Sequence, residues 1–308
     1  MDNAFASLAA IDIGSNSTNL LIVDQSGKTL ERVVRTTRLG ANIATTGALG
    51  AEAMQRTIDC LREYESLIKQ HNVVHRRTVA TAACRAANNT NQFFAEIQKI
   101  SDTEPELISG EVEGALSFVG ATGSLDEKMP TLVVDIGGAS TELMVGTDTL
   151  DFAVSLPFGA VNLTESELHR DPPRPEELTN AISLVSDAVD DVAHNYPLIG
   201  QVDRVVGVAG TVVTVAAVEV GQKTFNPSAL HKLKLSRDAV EDVFRTLATE
   251  SLNDRVFNPG LPRDRADIIV GGCCVLVAVM RRLQISEIIV SQYNLLDGLI
   301  SELRKKKS

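Results

Sequence analysis

Thr131-Leu-Val-Val-Asp135-Ile-Gly137-Gly138-Ala139-Ser140-Thr141-Glu142, followed at once by Leu143-Met-Val145, is the stretch that decides how this chain folds. An apolar run ends in one carboxylate, two glycines and two hydroxyls follow, and a second apolar run begins. Apolar runs this short, bounded by Gly and Ser, predict two buried strands joined by a tight turn. A glycine turn lets backbone N–H groups point at one spot with no side chain in the way, and such a concavity holds phosphate oxygens. The aspartate beside it does not bind the anion, but it can hold a Mg²⁺ ion that does.

The same pattern occurs earlier. Ala10-Ile-Asp12-Ile-Gly14-Ser15-Asn16-Ser17-Thr18 aligns with Val134-Asp135-Ile-Gly137-Gly138-Ala139-Ser140-Thr141, an offset of 123 residues. In a chain of 308 residues that offset means two similar halves rather than a short-period solenoid. Two copies of strand, aspartate, glycine turn and strand point to a polyphosphate ligand held in a cleft between domains. Asp12 and Asp135 are candidate metal ligands, and the plainer alternative is two turn-capping aspartates bonded to nearby backbone N–H groups. Gly207-Val-Ala-Gly210-Thr211 is a third glycine turn, entering a helix, where the N-terminus is a natural phosphate seat.

Composition narrows the function classes. The chain is 44% hydrophobic and 22% charged, an ordinary globular balance with enough length for two domains. Its net charge of −11 argues against a general nucleic-acid or anionic-membrane binder, since either needs a basic surface. An anionic substrate is still compatible, because a few arginines, Mg²⁺ and backbone N–H groups make a local positive site. Lys305-Lys306-Lys307 is the one basic run and reads as a solvated tail. Cys60, Cys84, Cys273 and Cys274 form no CxxC pair and read as reduced, mostly buried thiols of a cytoplasmic protein. No signal peptide is apparent. The apolar run Ile268 to Met280 is too short to span a bilayer and reads as a buried helix interrupted by Gly271-Gly272.

Strands alternating with helices in both halves predict α/β layers. Expected helices are Glu52 to Gln70, one from Asn89 or Thr90 to about Ile100, Glu111 to Val119, Ser236-capped to about Thr249, one from about Arg265, and one from Leu295. Gly120 to Pro130 is the expected boundary, dividing the chain into 1–124 and 125–308, with the last helix allowed to pack back on the first domain. Glu113 is the best candidate general base, although its spacing alone better fits a first-turn carboxylate complementing the helix dipole. Arg38, Arg85 and Arg265 sit at loop or helix-entry positions suited to clamping phosphate; the ordinary alternative for each is a surface ion pair. No Ser-His-Asp, Cys-His or zinc spacing is visible.

With these residues assembled, the chain resembles the exopolyphosphatase/guanosine pentaphosphate phosphatase (Ppx/GppA) family of the actin, Hsp70 and sugar-kinase superfamily. The resemblance is carried over nearly the whole length by Ala10 to Ser17, Ala80 to Arg85, Ile108 to Glu113, Val134 to Leu143, Ser155 to Gly159, Gly207 to Thr211 and Arg265 to Asp267. It implies two RNase H-like α/β domains facing an interdomain cleft, and Mg²⁺-assisted hydrolysis of terminal phosphates. It places the catalytic glutamate on Glu113, the metal carboxylate on Asp135, and the first phosphate-loop aspartate on Asp12. Phosphate-loop positions fall on Gly14, Ser15, Asn16, Ser17, Gly137, Gly138, Ser140, Gly210 and Thr211, and the substrate-cleft arginine falls on Arg85. A homodimer is the family expectation, and dependence on a monovalent cation such as K⁺ is left open.

The chain departs from the family pattern in places. Ala139 stands where a third glycine is usual, which costs strain if its φ must be positive. Ser291 to Gly298 replaces a more usual Ser-Asp-x-x-Leu-Arg-x-Gly pattern. The chain also stops where longer members continue, from which a preference for short polyphosphate is expected. The reading is therefore an exopolyphosphatase. Its rivals are a guanosine pentaphosphate 5′-phosphohydrolase, with guanosine tetra- or pentaphosphate as substrate or inhibitor, a non-catalytic polyphosphate or alarmone sensor, and a superfamily kinase.

Overall fold

The computed structural model describes residues 7–305 apart from 102 and 126. The expected basic tail at Lys306 and Lys307 lies outside them. By contacts the chain forms two units, Met1–Gly120 with Leu295–Ser308, and Ala121–Asn294. The final helix groups with the first unit, the placement that the sequence reading allowed for it.

The first unit contains β1 (Ser7–Ile13), β2 (Ser17–Val23), β3 (Thr29–Thr36), α1 (Ile43–Thr46), α2 (Ala51–Gln70), β4 (Val73–Ala80), α3 (Ala82–Ala86), α4 (Thr90–Gln98), β5 (Glu106–Leu107) and α5 (Gly110–Thr122). Its sheet runs β3-β2-β1-β4-β5. The first three strands form an antiparallel meander, and β4 and β5 add parallel to it. Period-two alternation explains why helices cover both faces. Ala9, Ile11 and Ile13 of β1 point into one core with α2 and α4, while Leu8 and Ala10 point into another. That second core is closed by Leu116 of α5 and by Leu295, Leu296, Leu299 and Ile300 of the last helix, Leu295–Lys305. Gly298 of that helix sits so close to the Leu116 carbonyl that a Cβ would overlap it. The departure at Ser291 to Gly298 therefore straddles the start of a packing helix, and its Asp297 pairs with Arg32 of β3 at 2.5 Å.

The second unit contains β6 (Thr131–Ile136), β7 (Thr141–Gly146), β8 (Leu150–Leu156), α6 (Ala160–Glu167), α7 (Pro175–Asn195), β9 (Arg204–Val208), α8 (Ala209–Glu219), β10 (Lys234–Ser236), α9 (Arg237–Thr249), α10 (Leu252–Arg255), α11 (Ile269–Arg282) and β11 (Glu287–Val290), and the chain's last helix is α12. The sheet order is β10-β11-β9-β6-β7-β8, again an antiparallel meander, β6 to β8, joined by parallel β9 and β11. Both units thus carry the RNase H-like α/β arrangement. The expected helix from Arg265 begins instead at Ile269, because Arg263–Arg265 closes a 3-10 turn. From Ile269 to Met280 α11 is buried on every side, which explains a pattern apolar all round rather than striped. Among the described residues no helix is long and apolar enough to cross a membrane. The four cysteines are free and buried, and burial pushes the Cys84 and Cys273 thiols up to about 12, so they are inert.

Candidate active site

In the first unit, β1 delivers Asp12 one residue before its end, directly opposite Asn19 of β2. Asn19 Nδ2 donates to Asp12 Oδ2 at 3.0 Å, while Asp12 Oδ1 is buried with no hydrogen-bond partner. Burial pushes Asp12 up to about 7; the Asn19 amide opposes this and the charge of Glu113 adds to it. The turn then closes with Gly14 N–H donating to the Ser17 carbonyl at 3.0 Å, and a Cβ at Gly14 would lie 2.9 Å from that oxygen. Glycine is required here by space, not by a left-handed φ.

The loop is braced from behind. Gly40 N–H donates to the Ser15 carbonyl at 2.8 Å, and Thr37 and Arg38 N–H groups donate to the Asn16 carbonyl at 3.0 and 2.9 Å. In a planar trans peptide the N–H of the next residue points opposite to the carbonyl. Holding these two carbonyls from behind therefore aims the N–H groups of Asn16 and Ser17 away from the brace. Both polar atoms of the Asn16 side chain are buried without a partner, an unmet capacity that suits a ligand. Arg38 contributes its backbone to this brace at a left-handed φ of 52°.

Parallel pairing of β1 with β4 sets Ile13 beside Ala80, so the chain leaving β4 emerges next to the glycine turn. That exit is α3, which carries Arg85. Glu113 lies in the first turn of α5, its N–H donating to the Ser109 carbonyl at 3.0 Å. Arg85 Nη1 donates to Glu113 Oε2 at 2.7 Å and to the Ile108 carbonyl at 3.0 Å. Burial raises the proton affinity of Glu113, and the Arg85 cation opposes the rise. A mostly buried carboxylate above its ordinary range, fixed by an arginine, is the environment of a general base. Asp12, the Gly14 to Ser17 loop, Arg85 and Glu113 are thus gathered at the carboxyl end of one sheet.

In the second unit the hairpin repeats bond for bond: Gly137 N–H donates to the Ser140 carbonyl at 3.0 Å. Asp135 again lies one residue before the strand end. Its register partner is Glu142, buried and accepting from Ser155 Oγ at 2.8 Å. Sequence reading assigned Glu142 no role; the signal was its place opposite the aspartate in a hairpin whose register the turn fixes. The brace here is α6. Ala160 N–H donates to the Gly137 carbonyl at 2.9 Å, Val161 N–H to Gly138 at 2.7 Å, and Asn162 Nδ2 to Ala139 at 2.6 Å. By the same peptide geometry, the N–H groups of Gly138, Ala139 and Ser140 all point away from α6. Gly159 lets the helix come this close, since a Cβ there would lie 2.5 Å from the Gly138 carbonyl carbon. Ala139 does not have a positive φ, so its replacement of glycine narrows the loop without backbone strain.

Parallel pairing of β6 with β9 sets Asp135 beside Val208, which brings Gly210 and Thr211 to the same sheet edge. Ala209 enters α8 at φ 64°, a rare conformation for alanine and so a constrained turn. The Arg265 guanidinium lies against Gly210 where any Cβ would stand. Burial lowers the proton affinity of Arg265, which the Asp264 charge partly opposes. Gly271 and Gly272 of α11 seat the two helix entrances: a Cβ on the first would lie 2.9 Å from the Ala160 carbonyl, and on the second 2.7 Å from Thr211 Oγ1.

Among the described residues no three or more His, Cys, Asp or Glu side chains cluster as a ready metal cage. Mg²⁺ keeps several waters and binds through one or two carboxylates plus phosphate oxygens. In the second unit Asp135 with Glu142 offers such a pair, and in the first unit Asp12 Oδ1 is buried with no hydrogen-bond partner.

Residues 20–307 match the model of the Ppx/GppA phosphatase family. The chain is 33% identical to exopolyphosphatase 2 of Mycobacterium tuberculosis, covering 97% of this chain and 99% of that one. It is 32% identical to the guanosine-5′-triphosphate,3′-diphosphate pyrophosphatase of Vibrio cholerae, covering 96% of this chain but 59% of that protein. A crystal structure of an exopolyphosphatase-like protein superimposes with a TM-score of 0.93 at 30% identity, covering 98% of this chain and 100% of its own. Motif, geometry and overall likeness agree, and the chain belongs to the Ppx/GppA phosphatase family.

Proposed function

We propose that the chain is an exopolyphosphatase that releases orthophosphate from the ends of inorganic polyphosphate. It is a hydrolase acting on phosphoanhydride bonds, and the observation that carries the finer reading is Glu113 held at 2.7 Å by Arg85 beside Asp12. In this reading Glu113 takes a proton from a water molecule as its oxygen attacks the terminal phosphorus. The bond from that phosphorus to the bridging oxygen breaks, and the chain leaves one phosphate shorter. Loop N–H groups aimed away from their braces hold the non-bridging oxygens, and positioning of this kind supplies most of the catalysis of phosphoryl transfer. Asp135 and Glu142 would hold Mg²⁺, with Asp12 as the corresponding carboxylate of the first unit; the ion, when bound, offsets charge on the phosphate oxygens.

Polyphosphate is proposed ahead of guanosine pentaphosphate because the mycobacterial relative, 33% identical over 318 residues, is an exopolyphosphatase. The test is orthophosphate release from polyphosphate with Mg²⁺, with and without K⁺, for wild type and Glu113→Gln. Loss of a general base predicts a fall in kcat of roughly 10²–10⁴ with binding retained. Unchanged turnover in the variant removes Glu113 from the chemistry. Preferential use of guanosine pentaphosphate in a competition assay moves the substrate to that nucleotide.

A further inference from the structure

We infer that Arg85 is a positioning residue for Glu113, one planar group that splints the base while offering the rest of its donors to the phosphate being cleaved; this rests on the function proposed above. A phosphate-binding arginine normally spends its fork on the ligand. Here one nitrogen, Nη1, serves two protein acceptors, Glu113 Oε2 at 2.7 Å and the Ile108 carbonyl at 3.0 Å. Both are at the entrance of α5, the helix that carries the base. Ile108 is itself tied to the end of β4, its N–H donating to the Ala80 carbonyl at 3.2 Å. Arg85 leaves that same strand end on α3, its N–H bonded to the Thr81 carbonyl at 3.0 Å. Strand end, arginine and helix entrance thus close a ring with little freedom.

The guanidinium carries five N–H donors in one rigid plane. Its Nε and Nη2 make no hydrogen bond to any described residue, so that edge is available to phosphate oxygens. A phosphate on the free edge then stands at a fixed offset from the carboxylate on the Nη1 side. The arginine is about a quarter exposed and the glutamate less, 26% and 15%, so the splint is shielded yet its outer edge is reachable. The charged groups facing Glu113 are Arg85 from α3, which favours its ionised form, and Asp12 from β1, whose own ionised form the Glu113 charge disfavours.

The experiment compares Arg85→Gln and Arg85→Lys with wild type and Glu113→Gln, measuring kcat, KM and pH profiles of phosphate release from polyphosphate. A splint predicts that Arg85→Gln lowers kcat at least ~100-fold while KM moves less than ~10-fold. The acid limb of kcat/KM shifts to higher pH, because the glutamate has lost the cation that kept it ionised. Arg85→Lys keeps the charge and the fold but lacks the planar fork, so it recovers the pH profile and only part of kcat. The double variant Arg85→Gln/Glu113→Gln falls little below Glu113→Gln alone, since both act through one carboxylate. A rise in KM alone, with kcat and pH profile as in wild type, overturns the splint and leaves Arg85 a simple phosphate ligand. Full recovery of kcat by lysine overturns it equally. If Glu113→Gln is as active as wild type, the proposed base fails first and the splint with it.

Discussion

The two glycine hairpins share a backbone and differ in what stands across from the aspartate. Each closes with an N–H to carbonyl bond of 3.0 Å, Gly14 to Ser17 and Gly137 to Ser140. Across from Asp12 is an amide, Asn19, which donates to it; across from Asp135 is a second carboxylate, Glu142. Under the proposed function, a carboxylate facing an amide, with Glu113 nearby, suits the handling of protons and water, and two carboxylates facing each other suit a cation. Duplication thus fixed the phosphate turn twice, and one position across the hairpin separated the chemistry of the copies.

The sharpest way to break this comparison is through metal dependence. Asp135→Asn and Glu142→Gln are each expected to raise the Mg²⁺ concentration for half-maximal activity by about tenfold or more, ~1.4 kcal/mol per lost charge. Asn19→Ala, at the corresponding place in the first copy, is expected to leave it near the wild-type value. Equal shifts from both hairpins would erase the proposed division. A second contrast concerns the braces. Gly159→Ala forces a Cβ to 2.5 Å from Gly138, whereas Gly40→Ala brings one to 3.0 Å from the Ser15 Cβ. Overpacking against backbone costs about 1–3 kcal/mol, so Gly159→Ala should lower the thermal midpoint clearly and Gly40→Ala by less. The reverse order in a melting experiment would show that the first loop is the stiffer one. The smallest effect is expected from Asn19→Asp, which turns the first hairpin into an electrostatic copy of the second. Like charges directly opposite cost about 0.2–1 kcal/mol, read as reduced stability by urea denaturation without Mg²⁺ and recovered when Mg²⁺ is added. No recovery would mean that a carboxylate pair alone does not make a cation site here.

Much of this is legible in the sequence. The predicted helix Glu52 to Gln70 is Ala51–Gln70, and both aspartates lie where an apolar run meets glycine. These readings succeeded because they depend on local periodicity and on residues that have few alternative uses. What escaped was non-local or weakly patterned. Helix α6 has Gly159 at its N-cap and little amphipathic contrast, so periodicity did not predict it, although Ser155 to Gly159 before it carries part of the family resemblance. Strand β10 is three residues long, below what alternation resolves. Arg85 and Glu113 are 28 residues apart, and their bond follows from how α3 and α5 leave neighbouring strands. The strain feared at Ala139 did not arise because its φ is not positive, while the left-handed alanine is Ala209, which composition alone does not flag.

Gly271 and Gly272 give α11 a role beyond filling the core. The entrances of α6 and α8 rest on these two positions, so the spacing of two phosphate seats is gauged by side chains that do not exist. A single added methyl group there would touch no ligand, yet it would wedge apart the helices that aim the loops. Mutational sensitivity of the proposed site therefore extends to a helix buried from Ile269 to Met280, at positions that a map of substrate contacts would leave blank.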